Sequence, residues 1–250
     1  MGFIKRQRDY LKDKSGKERL EFFWKYYKWH ILIWTLGIIC LFFFVYKKVT
    51  APVYTMQGFF LNVNEETAKG KAEQLAKDFE KANNIDTSYG GVMLNDAYAY
   101  WPNGKGDAEK SYQASEAILA QKEHDSLDFI AAPMTSIQDL AYNNLFTDLR
   151  VFLNQQQLLE YKDYLLYIDK AVITELEAAY ENKEDVSKIE LPDCTNPDAM
   201  KDPVPVMISI SHCKKLAGMY DSADGVAALG IIEDPPHKTK ILAFIDFIMK

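Results

Sequence analysis

Hydrophobic and polar positions divide this chain of 250 residues into two unequal parts. The run Trp29–Tyr46 contains no Asp, Glu, Lys or Arg. As an α-helix it would span about 27 Å, close to the roughly 30 Å of hydrocarbon in a bilayer. Only a helix satisfies its own backbone hydrogen bonds there. The run therefore predicts one transmembrane helix at residues 29–46, with residues 1–28 on one side and residues 52–250 on the other.

Beyond this run, short apolar stretches alternate with longer stretches of helical period. The predicted strands are Val53–Val63, Tyr89–Leu94, Leu127–Ala132, Val204–Ile210 and Val226–Ile232, with a short edge at Phe146–Leu149. The predicted helices are Glu65–Asn83, Ala108–Gln121, Thr135–Tyr142, Gln155–Tyr161, Asp169–Tyr180 and Thr239–Met249. This alternation predicts a single α/β domain of three layers, with a mainly parallel sheet covered by helices on both faces.

The charge distribution predicts an orientation for the transmembrane helix. Residues 1–28 carry nine basic and four acidic side chains, a net charge of +5. Residues 1–50 sum to +7 and the whole chain to −7, so residues 51–250 carry −14. Because basic residues next to a span favour the cytoplasmic side, we expect a cytoplasmic N-terminus and an extracellular domain. An acidic domain is unsuited to nucleic acid, which binds to basic surfaces.

We expect the apolar run to remain as an anchor in the lipid bilayer. Its core is longer than that of a usual signal peptide, and bulky Phe42–Phe44 and Tyr46 occupy positions where small residues precede a cleavage site. Ile39 is too large for the residue before a lipid-modified cysteine, so Cys40 is interpreted as an apolar residue of the helix.

An aromatic segment precedes the run on the cytoplasmic side. Leu20, Phe23, Trp24 and Tyr27 share one helix face, with basic residues beside them. Two interpretations remain open. The face either lies at the lipid headgroups or contacts a protein partner, and the segment could continue into the span as one long helix.

Two segments of the outer domain resemble the extracytoplasmic solute-binding proteins of ABC importers, which have the type II periplasmic-binding fold. Asp128–Leu149 is similar to their strand, small helix and apolar return, and Val226–Met249 to their last strand, proline-bearing turn and helix. The resemblance implies a membrane-anchored binding domain of Gram-positive bacteria at about residues 52–250, associated with an ABC transporter. These relatives usually have two lobes and longer chains, so we expect the second lobe to be absent or much reduced.

The candidate ligand site is the loop after the second strand, which carries Tyr98, Tyr100 and Trp101. In the resembled fold this position faces the ligand cleft, where ring faces stack on a sugar or a peptide side chain. The alternative is that the rings pack against their own domain. A deep cleft at these rings would favour a binding module for a small molecule, peptide or glycan. A filled surface would favour a structural or scaffolding protein that kept the fold and lost its ligand.

The cysteines and histidines give little evidence of chemistry. Cys194 and Cys213 are a candidate disulfide that would close a loop of about 20 residues and contribute roughly 3 kcal/mol, the alternative being two unrelated thiols. A zinc site with Asp193 and His212 lacks the usual paired ligand spacing, so neither metal nor cofactor is expected. The serines near His212 form no known nucleophile motif, so we expect no enzyme activity.

Overall fold

A computed structural model of this protein describes residues 14–49, 53–88, 90–102, 106–221 and 225–250. The chain divides after residue 52 into two compact units. The first unit contains one long helix and the second an α/β domain. Tyr89, predicted to begin the second strand, lies outside the described residues.

Helix α1, Gly16–Val49, continues without a break through the predicted span. It begins after Ser15, whose backbone N–H and hydroxyl donate to Glu18 at 3.0 and 3.1 Å and so satisfy a free end of the helix. The segment Tyr27–Lys47 has a mean hydropathy of 2.1 and is long and apolar enough to cross a membrane, a criterion that a signal sequence also meets. Leu20 and Trp24 are exposed on the same helix, whereas the side chain of Phe23 lies outside the described residues.

The second unit alternates strands and helices as the sequence pattern predicts. Its strands are β1 Val53–Phe60, β2 Gly90–Asn95, β3 Phe129–Pro133, β4 Leu165–Asp169, β5 Pro203–Ser209 and β6 Ala227–Ile231. Its α-helices are α2 Lys71–Ala82, α3 Ala108–Glu123, α4 Met134–Tyr142, α5 Leu149–Phe152, α6 Gln155–Glu160, α7 Lys170–Glu181 and α8 Lys238–Met249. Short 3-10 turns lie at Lys162–Tyr164, Val186–Lys188, Pro197–Ala199 and Lys214–Leu216.

All six strands form one mixed sheet in the order β2-β1-β3-β6-β5-β4. Strand β1 is parallel to both β2 and β3, whereas β6 is antiparallel to β3 and β5, and β4 is antiparallel to β5. Four strands therefore run in one direction, and β4 and β6 run in the other. The α/β class is confirmed. Most strands share one direction, as predicted, but the pairs β3/β6, β6/β5 and β5/β4 are antiparallel.

Three elements differ from the prediction in start, size or presence. Helix α2 begins at Lys71 rather than near residue 65, because Asn64 caps a separate turn and Gly70 adopts φ +75°. The predicted edge at Phe146 is reduced to a single bridge with Ile232. Strand β4 was not predicted, since its five residues are too few to show an alternation between two helical patterns.

The core has two halves because apolar side chains of the strands alternate between the two faces of the sheet. On one face, which we call the α2/α8 face, Phe79 of α2 and Phe129 of β3 contact Phe244 of α8 at ring-centroid distances of 5.2 and 5.0 Å. The opposite face, the α4/α7 face, is covered by α3, α4 and α7. Helices on both faces confirm the predicted three layers.

Apolar stripes on α2 and α8 form the first of these faces. All their members are buried: Ala72, Leu75, Ala76, Phe79, Ile241, Phe244, Ile245 and Ile248. Gly58 of β1 lets the Phe129 ring lie across it, since a Cβ at that position would be only 2.2 Å from the ring. The period of the sequence therefore identified the residues that close this half of the core.

Candidate functional site

The predicted aromatic loop lies at the edge where the parallel strands β1, β2 and β3 end. Asn62, which follows β1 with φ +55°, donates its amide N–H groups to the Tyr100 carbonyl at 2.7 Å and to the Ser136 hydroxyl at 3.0 Å. Its amide oxygen accepts from the Tyr100 N–H at 2.5 Å. Ser136, fully buried in α4, donates to the Tyr100 carbonyl at 2.7 Å. The polar groups at this edge thus bind the loop itself.

The three aromatic rings pack against their own domain. The Tyr98 ring lies 5.2 Å from Phe59, and the Tyr100 hydroxyl donates to Asp139 at 2.5 Å. Burial is the larger cause, and this contact with Asp139 the smaller cause, of a pKa of Tyr100 above its usual value. The Trp101 ring lies over Gly106, where a Cβ would come within 2.4 Å of it. Of the two interpretations, the structure therefore supports packing within the domain.

Tyr98 lines a hollow of about 140 Å³ beside Val63 and Ala97. Ligand sites usually enclose about 300–1,000 Å³, so this hollow is too small for a sugar or a peptide. The predicted residues share one loop, and ligand binding by them stays a prediction.

A larger depression lies elsewhere on the α4/α7 face. It has a volume of about 520 Å³ and lies among α4, α7 and the segment of residues 186–191; we call it the α4–α7 groove. Its apolar and aromatic walls are Tyr142, Ile173, Leu176, Tyr180, Val186, Ile189 and Leu191, and its polar groups are Asp139, Asn143, Asn144 and Glu177. Burial raises the pKa of Tyr142 to about 12.

The charges of the α4–α7 groove are of one sign. Asp139 accepts from Tyr100 and from Asn143 at 3.3 Å, and Glu177 accepts from Asn144 at 3.2 Å. The groove contains these two carboxylates and no Lys or Arg among its described lining residues. This arrangement suits a cationic group attached to an apolar body.

A signal for the groove exists in the sequence but was not interpreted as a site. On α7, Ile173, Leu176, Glu177 and Tyr180 fall at i, i+3, i+4 and i+7 and so share one face. Tyr180, the last member of this stripe, is 63 % exposed, and Leu191, which lies beyond α7, is 39 % exposed. The stripe resembles that of any core-facing helix, and only the packing reveals that part of it is open.

The structure does not join the two cysteines of the predicted disulfide. Cys194 and Cys213 are both buried free thiols. Cys194 packs in the core of the α4/α7 face and Cys213 in the core of the α2/α8 face, so the sheet separates them. Burial raises the pKa of Cys194 to about 12 and that of Cys213 to about 11. Both thiols are therefore protonated near neutral pH.

The other candidate ligands and acids have structural contacts. Asp193 accepts from the N–H and hydroxyl of Thr195 at 2.9 and 2.8 Å, which shapes a turn. Among the described residues, no group of three or more His, Cys, Asp or Glu side chains could hold a metal ion. Fully buried Asp128 accepts from the N–H groups of Gln57 at 2.7 Å and His237 at 3.0 Å, so it links β1 and β3 to the start of α8.

Comparison with known proteins adds no family to this description. No protein-family model and no curated protein matches the chain. Its class therefore rests on what the structure shows. It is an α/β domain with a mixed six-stranded sheet, preceded by one helix that is long and apolar enough to cross a membrane.

Proposed function

We propose that this chain is a single-pass membrane protein whose acidic domain acts outside the cytoplasm as an accessory module. In this proposal α1 is an uncleaved anchor with a cytoplasmic N-terminus, supported by the +5 charge of residues 1–28 and the apolar segment Tyr27–Lys47. The domain keeps a solute-binding-like arrangement and contacts another protein instead of enclosing a solute. An ABC transporter is the partner that the resemblance implies.

The main support for this proposal is that the aromatic loop covers the carboxyl ends of the parallel strands. Open α/β sheets bind ligands outside the carboxyl ends of their strands. Here Asn62 and Ser136, two polar side chains at that edge, are hydrogen-bonded to the Tyr100 backbone. A solute would have to displace the loop and break these bonds. Since the six strands form one sheet, a solute at this edge would also be covered from one side only.

The α4–α7 groove is the surface at which we place the partner. Its carboxylates Asp139 and Glu177 and its apolar walls suit a partner segment that carries Lys or Arg beside apolar residues. The net charge of −14 on residues 51–250 would also attract such a segment over a longer range.

Site-specific photocross-linking in native membranes tests the proposal. A photoreactive amino acid replaces Tyr180 in the groove or, as a control, Tyr112 of α3, which is exposed to a similar degree at 62 % against 63 %. We expect the probe at position 180 to form one discrete product with a membrane protein, and the probe at position 112 to form none. Equal products at both positions, or none at position 180, would contradict a partner in the groove.

Capture of a small solute is the second candidate function. The observation in its favour is the groove volume of about 520 Å³, which lies within the usual range for ligand sites. Thermal-shift screening of the full chain in nanodiscs with sugars, amino acids and basic peptides distinguishes the two functions. A sugar or amino-acid shift that Glu177→Gln abolishes would support solute capture. A shift abolished only by Trp101→Ala would return the site to the aromatic loop.

A further inference from the structure

Three soft or borderline metal donors meet beside α8, on the face of the sheet opposite the α4–α7 groove. The Cys213 thiol sulfur lies 3.7 Å from the thioether sulfur of Met249 and 3.9 Å from Nε2 of His212. Cys213 follows β5 and is 4 % exposed, and Met249 is the last residue of α8. The fold thus brings together two residues that lie 36 positions apart in the sequence.

The separations between these donors fit a shared metal ion. Thiolate sulfur binds a small metal ion at about 2.3 Å and imidazole nitrogen at about 2.0–2.1 Å. At angles of about 110–120° a sulfur and a nitrogen donor then lie roughly 3.6–3.8 Å apart, and two sulfur donors roughly 3.8–4.0 Å apart. The observed distances, 3.9 Å between sulfur and nitrogen and 3.7 Å between the two sulfurs, lie within about 0.2 Å of these ranges. Without a metal ion, the Cys213 thiol can donate a weak hydrogen bond to Met249.

The surroundings orient the His212 imidazole and leave a hollow beside two of the three donors, His212 and Met249. The His212 ring stacks on Tyr164 with a centroid distance of 3.9 Å and an interplanar angle of 15°. His212, Tyr164 and Met249 line a hollow of about 110 Å³ together with Asp246. The carboxylate of Asp246 adds negative charge to the hollow.

The geometry points to a three-coordinate site for Cu(I), formed by the Cys213 thiolate, the His212 imidazole and the Met249 thioether. Thiolate and thioether ligands select Cu(I), whereas Mg²⁺ and Ca²⁺ prefer oxygen ligands. On binding, the Cu–S bond replaces the S–H bond of Cys213, and the thiol proton passes to the solvent. No electron is transferred, because the copper is supplied and held as Cu(I). The site is independent of the proposed partner contact.

Competition for Cu(I) tests this site. Full-length protein in detergent is titrated without oxygen against the coloured Cu(I) complex of bicinchoninate. We expect one Cu(I) per chain to be withdrawn, with Cu–S and Cu–N distances near 2.3 and 2.0 Å in X-ray absorption spectra. Cys213→Ala should abolish withdrawal. Met249→Leu, which conserves volume, and His212→Gln should each weaken affinity at least about tenfold.

The remaining cysteines provide the controls. A variant with both Cys40→Ala and Cys194→Ala retains only Cys213 and should still withdraw one equivalent. Circular dichroism melting shows whether Cys213→Ala is folded. If it is not folded, the weaker Cu(I) affinity expected for Met249→Leu tests the site instead. Failure of the unaltered protein to withdraw copper would overturn the site. Withdrawal by Met249→Leu and by His212→Gln as strong as that by the unaltered protein, or loss of binding in the double variant, would also overturn it.

Discussion

The aromatic loop and the α4–α7 groove show opposite relations between sequence and surface. The loop is rich in rings and polar neighbours, and its groups bind one another: Asn62 holds the Tyr100 backbone, and Trp101 covers Gly106. The groove comes from an ordinary helical stripe, yet Tyr180 remains exposed. A residue type suited to binding therefore indicates a site only if the fold leaves its side chain free of contacts within the domain.

The largest effect is expected at the closed edge. Asn62→Ala removes three hydrogen bonds and leaves the Tyr100 N–H without its acceptor. We expect a loss of about 3 kcal/mol in the free energy of unfolding. For a domain of this size that is a melting temperature lower by roughly 6–12 °C. Asn143→Ala, on the exposed rim of the groove, is the matched control and should change stability by less than about 0.5 kcal/mol. Similar losses for both would remove the distinction between the two regions.

Tyr100→Phe should have an intermediate effect because Tyr100 contacts both regions. The substitution keeps the ring and removes the hydrogen bond to Asp139. We expect a loss of about 1 kcal/mol in unfolding free energy, measured by chemical denaturation. Tyr112→Phe is the control, since its hydroxyl contacts Glu116 on an exposed helix face, and it should change little. An unchanged stability in Tyr100→Phe would mean that the Asp139 contact contributes nothing.

Substitutions in the groove should leave the isolated protein almost unchanged. Tyr180→Ala and Glu177→Gln alter exposed side chains, so each should change the unfolding free energy by less than about 0.5 kcal/mol. A photoreactive amino acid at position 191, on the rim of the groove, should nevertheless form less cross-linked product with the partner in both variants. A large loss of stability in Tyr180→Ala would show that the groove is part of the core and not a contact surface.

Reduction of the protein is expected to have no effect. Because Cys194 and Cys213 are free and lie on opposite faces of the sheet, the melting temperature should be equal with and without a thiol reductant. Mass spectrometry after alkylation of unfolded, unreduced protein should find both thiols modified. A linked Cys194–Cys213 peptide would restore the disulfide and require a different packing of the loop after α7.

The sequence by itself determined the elements whose signals are local. Charge-free residues 29–46 specify an apolar helix, and the stripe of α8 specifies a buried face, because each pattern depends only on neighbouring residues and a fixed period. The same reasoning predicted helices on both faces of a sheet. It located the aromatic loop in the sequence but could not determine which groups that loop would bind.

Which side chains meet on each face of the sheet depends on the packing of elements that are distant in the sequence. Insertion of β6 between β3 and β5 in the antiparallel direction sets the strand order, and no local pattern specifies it. Passage of the chain from one face to the other separates Cys194 from Cys213, and the same passage places Cys213 beside Met249. Contacts between residues distant in sequence arise when elements pack to bury their apolar faces together. A site formed by such contacts becomes visible only in the folded chain.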